Sequence, residues 1–241
     1  MRLADIPQPA DRLPVATYLT AREWLLENDP DAPRMISWSE SVRPPDTAEQ
    51  AAGEIIWIIL CAGRSAQSAR TIERKVWAAI HEGRPVVEAF GYRKKAEAIE
   101  RAWTEREADF ANLQAALGAG NPAAALAWCR SIPFVGDVTK YQLAKNFGID
   151  VCKPDIWLCR LAGIPDRPAG DVEVRFAASM RLCRAMSEAT GERLATVDSV
   201  LWLACNKRVL VTDDTAAAIS LNVDPPDVRS IYESATLAAG D

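Results

Sequence analysis

Histidine is almost missing from this chain: His81 is the only one in 241 residues. Zinc sites built on imidazoles, and Ser-His-Asp or Cys-His catalysis, are thereby excluded. Chemistry has to come from carboxylates, lysines, hydroxyls or the main chain. No Cys-x-x-Cys pair occurs among Cys61, Cys129, Cys152, Cys159, Cys183 and Cys205, and several of them lie in apolar stretches such as Trp202-Leu203-Ala204-Cys205. They read as reduced core thiols in a reducing compartment. Long apolar runs are lacking too: Ile55–Ala62, the longest, has eight residues, against the ~20 a spanning helix needs. Met1–Ala10 already holds Asp5 and two prolines, which does not fit a basic-then-apolar leader. The expectation is a cytoplasmic protein without a membrane partner.

Basic residues are not in excess either, with 28 Lys and Arg against 33 Asp and Glu and a net charge of -5. The excess acid is local. From Thr212 onward Asp213, Asp214, Asp224, Asp227, Glu233 and Asp241 face Arg229 alone, which leaves the body of the chain neutral. Within Arg130–Arg160 the balance turns positive, five basic residues to three acidic. An acidic total therefore does not exclude a local nucleic-acid footprint. With 49% hydrophobic and 25% charged residues the composition is that of a globular protein able to bury a core without staples.

Helical signals dominate what is there. Helices are expected over Val15–Asn28, Ala48–Cys61 (with Asp46 or Thr47 as N-cap), Ser65–His81, Tyr92–Arg106, Glu107–Leu117 and Pro122–Cys129. Further ones fit Asp155–Ala162, Val172–Thr190 and Val197–Cys205, with a short helix near Asp214–Ser220 and a turn at Asp224–Asp227. No repeat of fixed period is visible. An all-α fold of roughly ten short helices follows.

One stretch stands apart, Trp128-Cys129-Arg130-Ser131-Ile132-Pro133-Phe134-Val135-Gly136-Asp137-Val138-Thr139-Lys140-Tyr141. A helix ends, Pro133–Gly136 make a tight turn, and a second helix starts at once, with Thr139, Leu143 and Phe147 on one face. Such a turn aims backbone N–H groups outward beside a helix N-terminus, which suits a phosphate oxygen. It needs little side-chain charge, so it reconciles nucleic-acid binding with an acidic total.

Pro133-x-Val135-Gly136-x-x-Thr139 is followed, after 15 residues, by Asp155-x-x-Leu158-x-Arg160. This pattern resembles the helix-hairpin-helix DNA glycosylases, the superfamily of endonuclease III. The resemblance is specific over Trp128–Ala162. It is weaker over Glu49–Ala102, where Cys61–Ala69 looks like an early helix-loop-helix beside the base pocket. There is a faint likeness to the 3-methyladenine glycosylase branch. It implies two helical lobes with an active-site cleft between them, here expected as residues 1–120 and 121–205, the latter carrying the helix-hairpin-helix motif, followed by an acidic segment 206–241. It also implies double-stranded DNA with a damaged or modified base as partner, a nucleoid-associated location and a monomer. The hairpin positions Pro133, Phe134, Val135, Gly136, Val138, Thr139 and Lys140 are expected on the DNA backbone, with a cation held by the main-chain carbonyls of Ile132 and Val135 and no metal from side chains. Arg64, Gln67, Trp128 and Trp157 are the base-pocket candidates, and Asp155 matches the catalytic carboxylate.

Two departures carry information. Phe134 replaces the first hairpin glycine, and Val138 stands where bifunctional members have a nucleophilic lysine. Lys140 lies about 200° further round the helix and does not substitute. Without that amine no Schiff base forms, and the expected chemistry is attack of water at C1′. Breaking an N-glycosidic bond builds an oxocarbenium-like sugar, which a nearby carboxylate stabilises while it orients or deprotonates water. Asp155, after Pro154 at a helix start, sits where the helix dipole favours an anion. Asp198 reads as an N-cap rather than a second acid. Cys152 and Cys159 match only the first interval of the Cys-x6-Cys-x2-Cys-x5-Cys cluster of some relatives, so no iron–sulfur cluster is expected. The expectation is thus a monofunctional glycosylase. A base-hypermodification enzyme of the same fold and a non-catalytic helix-hairpin-helix protein are the alternatives.

Overall fold

A computed structural model of the chain describes residues 2–64, 66–167 and 171–225. Among them, after a 3-10 turn at Leu3–Asp5, come α1 (Pro9–Arg12), α2 (Val15–Asn28), α3 (Ala32–Ser41), α4 (Ala48–Cys61), α5 (Ala66–His81), α6 (Val86–Ala89) and α7 (Arg93–Thr104). Then follow α8 (Arg106–Gly118), α9 (Pro122–Ser131), α10 (Thr139–Asn146), α11 (Ile156–Leu161), α12 (Val172–Thr190) and α13 (Leu194–Asn206). A short antiparallel hairpin, β1 (Leu210–Thr212) and β2 (Ile219–Leu221), pairs Leu210 with Leu221. The protein is all-α, with 66% helix and 3% strand. No helix among the described residues is long and apolar enough to cross a membrane.

The chain forms two compact units, one of Met1–Val42 with Asp150–Ser230 and one built on Arg43–Ile149. These boundaries differ from those expected at 120/121 and 205/206. Gly118–Asn121 is a tight corner, not a linker: α8 and α9 pack on each other across it, and Asn121 Oδ1 caps α9 by accepting from Ala123 N. After α13 the chain stays in the same core, where Val209 and Leu210 are buried.

Each unit is organised round one helix that is apolar on nearly every side, the pattern of a buried helix. In the first it is α13, which packs against α2, α3, α11, α12 and β1 and fully buries Val197, Val200, Leu201, Leu203 and Ala204. In the second it is α4, the helix of the longest apolar run. Thr47 Oγ1 caps it by accepting from Gln50 N, and Ile55, Ile56, Ile58, Ile59 and Leu60 are buried against α5, α7, α8 and α10.

The tail differs from expectation. In place of a helix near Asp214–Ser220, Asp213 Oδ1 accepts from the N–H groups of Thr215 and Ala217 and from the Thr215 hydroxyl, and Ala216 takes a φ of +55°. That local bonding reverses the chain into the β1–β2 hairpin. The turn expected at Asp224–Asp227 lies partly outside the described residues.

Candidate functional site

The turn after α9 is built from alternating anchors and exposed residues. Ile132 and Val135 are buried, 3% and 2% exposed, while Pro133, Phe134 and Asp137 face solvent. Val135 N donates to Ile132 O at 3.1 Å, closing the turn, and Lys140 N donates to Gly136 O at 2.9 Å, opening α10. Phe134, which stands where the resembled motif has glycine, has a φ of +66°. It thus adopts the left-handed conformation that glycine enters freely and other residues at a cost. Gly136 has no positive φ, and a Cβ built on it meets nothing within 4 Å. The fold therefore does not require glycine at 136, and the backbone there is open to an external group.

The charge of this turn is balanced from α9. Arg130 Nε donates to Asp137 Oδ1 at 2.6 Å and Nη1 donates to Val135 O at 3.0 Å. The guanidinium holds the exposed Asp137 carboxyl below its usual range. Val138, at the N-cap of α10, offers no side-chain acceptor to the first amides of the helix. Thr139 and Lys140 are half-buried, and Lys140 Nζ lies 5.2 Å from the Tyr141 ring. Leu143 and Phe147 are fully buried on the expected face, and Lys145 is buried as well, which removes it from the surface.

Other residues gather at the turn that sequence reasoning passed over. The Tyr92 ring, just before α7, meets Phe134 edge-on at 6.3 Å and Phe90 at 6.5 Å. Lys95 Nζ lies 5.8 Å from the Phe134 ring and donates to Ala62 O at 2.5 Å. Burial, followed by repulsion from Arg64, lowers the Lys95 pKa. Arg64 is exposed and places its guanidinium over Phe90, 4.9 Å from the ring centre. The only sequence signal for this cluster was Phe90-Gly91-Tyr92 ahead of the basic run Arg93-Lys94-Lys95, which also reads as an ordinary helix start.

Asp155 belongs to the other compact unit. It is the N-cap of α11: its Oδ1 accepts from Trp157 N at 3.0 Å and Leu158 N at 3.1 Å. The loop before it is tied down from two helices. Arg175 on α12 donates to Pro154 O at 3.3 Å, and Asp198 on α13 accepts from Lys153 N at 3.3 Å. Asp198 is therefore not the cap of its own helix, which begins at Leu194; its buried carboxylate serves the Lys153 main chain. Arg160, the last residue of the Asp155 pattern, pairs with Asp166 at 2.5–2.8 Å and lies 5.2 Å from the Trp157 ring.

Of the base-pocket candidates, Arg64 lies beside the turn cluster. Gln67, half-buried, opens α5, and its carbonyl accepts from the Thr71 hydroxyl. Trp128 leans on the buried Phe147 ring at 5.7 Å. Trp157 packs against the core of the Asp155 unit. A groove of about 560 Å³ along α12, lined by Pro9, Phe176, Met180 and Arg184 among others, includes none of these residues. Among the described residues no group of three His, Cys, Asp or Glu side chains is placed to hold a metal ion. Comparison of the chain with protein-family models, curated proteins and solved structures finds no match.

Proposed function

We propose that the chain is a monofunctional DNA glycosylase that hydrolyses the N-glycosidic bond of a damaged or modified base and leaves an abasic site. The observation that carries this reading is the backbone of the turn. Phe134 holds a glycine-like φ of +66° and Gly136 is open although nothing inside the protein asks for it. A glycine with open space at its Cβ lets an external phosphate approach the backbone closely, and the left-handed Phe134 turns the chain beside it. On this reading Pro133–Lys140 is a helix-hairpin-helix grip on a DNA strand. Tyr92 and Phe134, 48% and 36% exposed, offer it rings to stack on.

Asp155 then supplies the chemistry. The two amides that bond its Oδ1, at the positive end of α11, hold the carboxylate in place and favour its anion. Facing C1′, an anion stabilises the developing oxocarbenium and takes a proton from the attacking water. The base leaves with the bonding electrons of the C1′–N bond, and water oxygen replaces nitrogen on the sugar. With Val138 at the lysine position, borohydride should trap no covalent enzyme–DNA adduct.

A binding-only protein is the second reading, and one observation favours it: Asp155 already has a structural task as the cap. Asp155→Asn separates the two, because asparagine caps as well as aspartate but carries no charge. The test is mass spectrometry of bases released from alkylated, oxidised, deaminated and phage-type modified duplexes. Release of one base by the wild type, lost in Asp155→Asn with duplex binding retained, is the expected result. Release undiminished in Asp155→Asn removes Asp155 from the mechanism. Duplex binding without release of any base supports the binding-only protein or a base-modifying relative.

A further inference from the structure

We propose that Arg130 supplies from within the chain the positive charge that gathers the turn after α9, so that the turn engages a phosphodiester backbone without a metal ion. The inference rests on the nucleic-acid reading above and departs from the cation that the family resemblance implies at the carbonyls of Ile132 and Val135.

Those carbonyls do not fit a metal ion here. Ile132 O already accepts from Val135 N, and Val135 O accepts from Arg130 Nη1 at 3.0 Å. A carbonyl keeps a second lone pair, so acceptance alone does not exclude an ion; the charge of the donor does. A cation on Val135 O would sit within hydrogen-bond range of a guanidinium and be repelled by it. The same guanidinium reaches Asp137 Oδ1 through Nε at 2.6 Å. Its planar fork thus spans the turn from Val135 to Asp137 and leaves Gly136 between the two held points, a geometry that the point charge of a lysine does not reproduce. It also neutralises the one carboxylate of the turn, which would otherwise oppose a phosphate.

Binding of a short fluorescein-labelled duplex is measured by anisotropy in potassium, sodium and choline chloride at one ionic strength, each with chelator. Holding ionic strength fixed removes the counterion-release effect that any phosphate binder shows. The wild type should bind equally in all three salts. Arg130→Met should weaken binding about tenfold, the loss of two charge-assisted hydrogen bonds, and Arg130→Lys should fall between. Wild-type affinity that drops about tenfold in choline means an ion holds the turn and overturns the proposal, as does wild-type affinity in Arg130→Met. If the wild type binds no duplex in any salt, the nucleic-acid reading fails. Amide exchange of residues 134–138 without DNA then decides on the brace. Faster exchange in Arg130→Met, with wild-type exchange indifferent to potassium, supports it; unchanged exchange in the variant overturns it.

Discussion

The ring of Tyr92 stands edge-on to that of Phe134 at 6.3 Å, and so props a residue whose backbone is left-handed. Two terms oppose each other at Phe134. The positive φ costs about 1–2 kcal/mol, while the partly exposed contacts to Tyr92 and Lys95 return about 0.5–1 kcal/mol each. Phe134→Gly removes both and should leave the melting temperature nearly unchanged. Phe134→Ala keeps the strain and loses both ring contacts, and should cost about 1–2 kcal/mol. Glycine more stable than alanine at one site is the reverse of the usual order, and thermal melting of the two variants reads it directly.

Gly136 and Gly148 differ in what demands them. Gly148 has a φ of +77°, and a Cβ on it would lie 2.6 Å from the Arg43 carbonyl carbon, a backbone atom that does not yield. Gly148→Ala should therefore destabilise by about 3 kcal/mol or more. Gly136→Ala meets open space and should leave melting unchanged or raise it slightly, by reducing the freedom of the unfolded chain. Its effect belongs to binding, weaker on every duplex alike. A loss confined to one target base would contradict a backbone role.

What was legible followed from local chemistry. Val15–Asn28, Ala48–Cys61 and Val172–Thr190 begin and end where expected, because breakers and caps such as Pro30, Thr47, Asp171 and Gly191 are written beside the helices they bound. α13 starts three residues earlier than expected, at Leu194, since its N-cap Arg193 makes no side-chain cap bond and gives no signal. α3 has Pro33 in its first turn, where proline is tolerated, and no helix was expected there. The Asp155 cap was readable from Pro154-Asp155. The Tyr92–Phe134 contact was not, because it joins segments distant in sequence. Nor was the Arg130 brace, whose partners straddle a turn that has to form first.

Glu54 on α4 accepts from Asn146 Nδ2 of α10 at 2.8 Å, and Asn146 in turn accepts from Gln142. Burial first, and Glu73 nearby, raise the Glu54 carboxyl above its usual range, against the hydrogen bond that lowers it. A carboxyl raised in the folded state holds its proton longer than in the unfolded chain. Stability is therefore greatest below the unfolded value near 4.5 and declines as pH rises through the folded value. Glu54→Gln keeps an acceptor for Asn146 without the charge. It should gain up to about 1 kcal/mol at pH 7 and nothing at pH 4, measured by urea unfolding at both pH values.

Lys207, at the end of α13, is buried between two buried carboxylates, 3.4 Å from Asp29 and 3.2 Å from Asp31. Burial is the largest influence on Asp29 and holds its carboxyl above the usual range, with Lys207 pulling the other way. Lys207→Met withdraws that pull and leaves two acids facing each other in the core, so the variant should lose about 3–5 kcal/mol at pH 7. Protonation relieves the repulsion, so the loss should shrink as pH falls through the raised value of Asp29. Adding Asp29→Asn to Lys207→Met removes the like charge and should restore part of the stability at pH 7, the buried Asp31 carboxylate having still lost the Lys207 ammonium. Urea unfolding of the single and double variants across pH reads both effects. A Lys207→Met loss that stayed constant from pH 7 to pH 4 would overturn this account, because protonation of Asp29 would then relieve nothing.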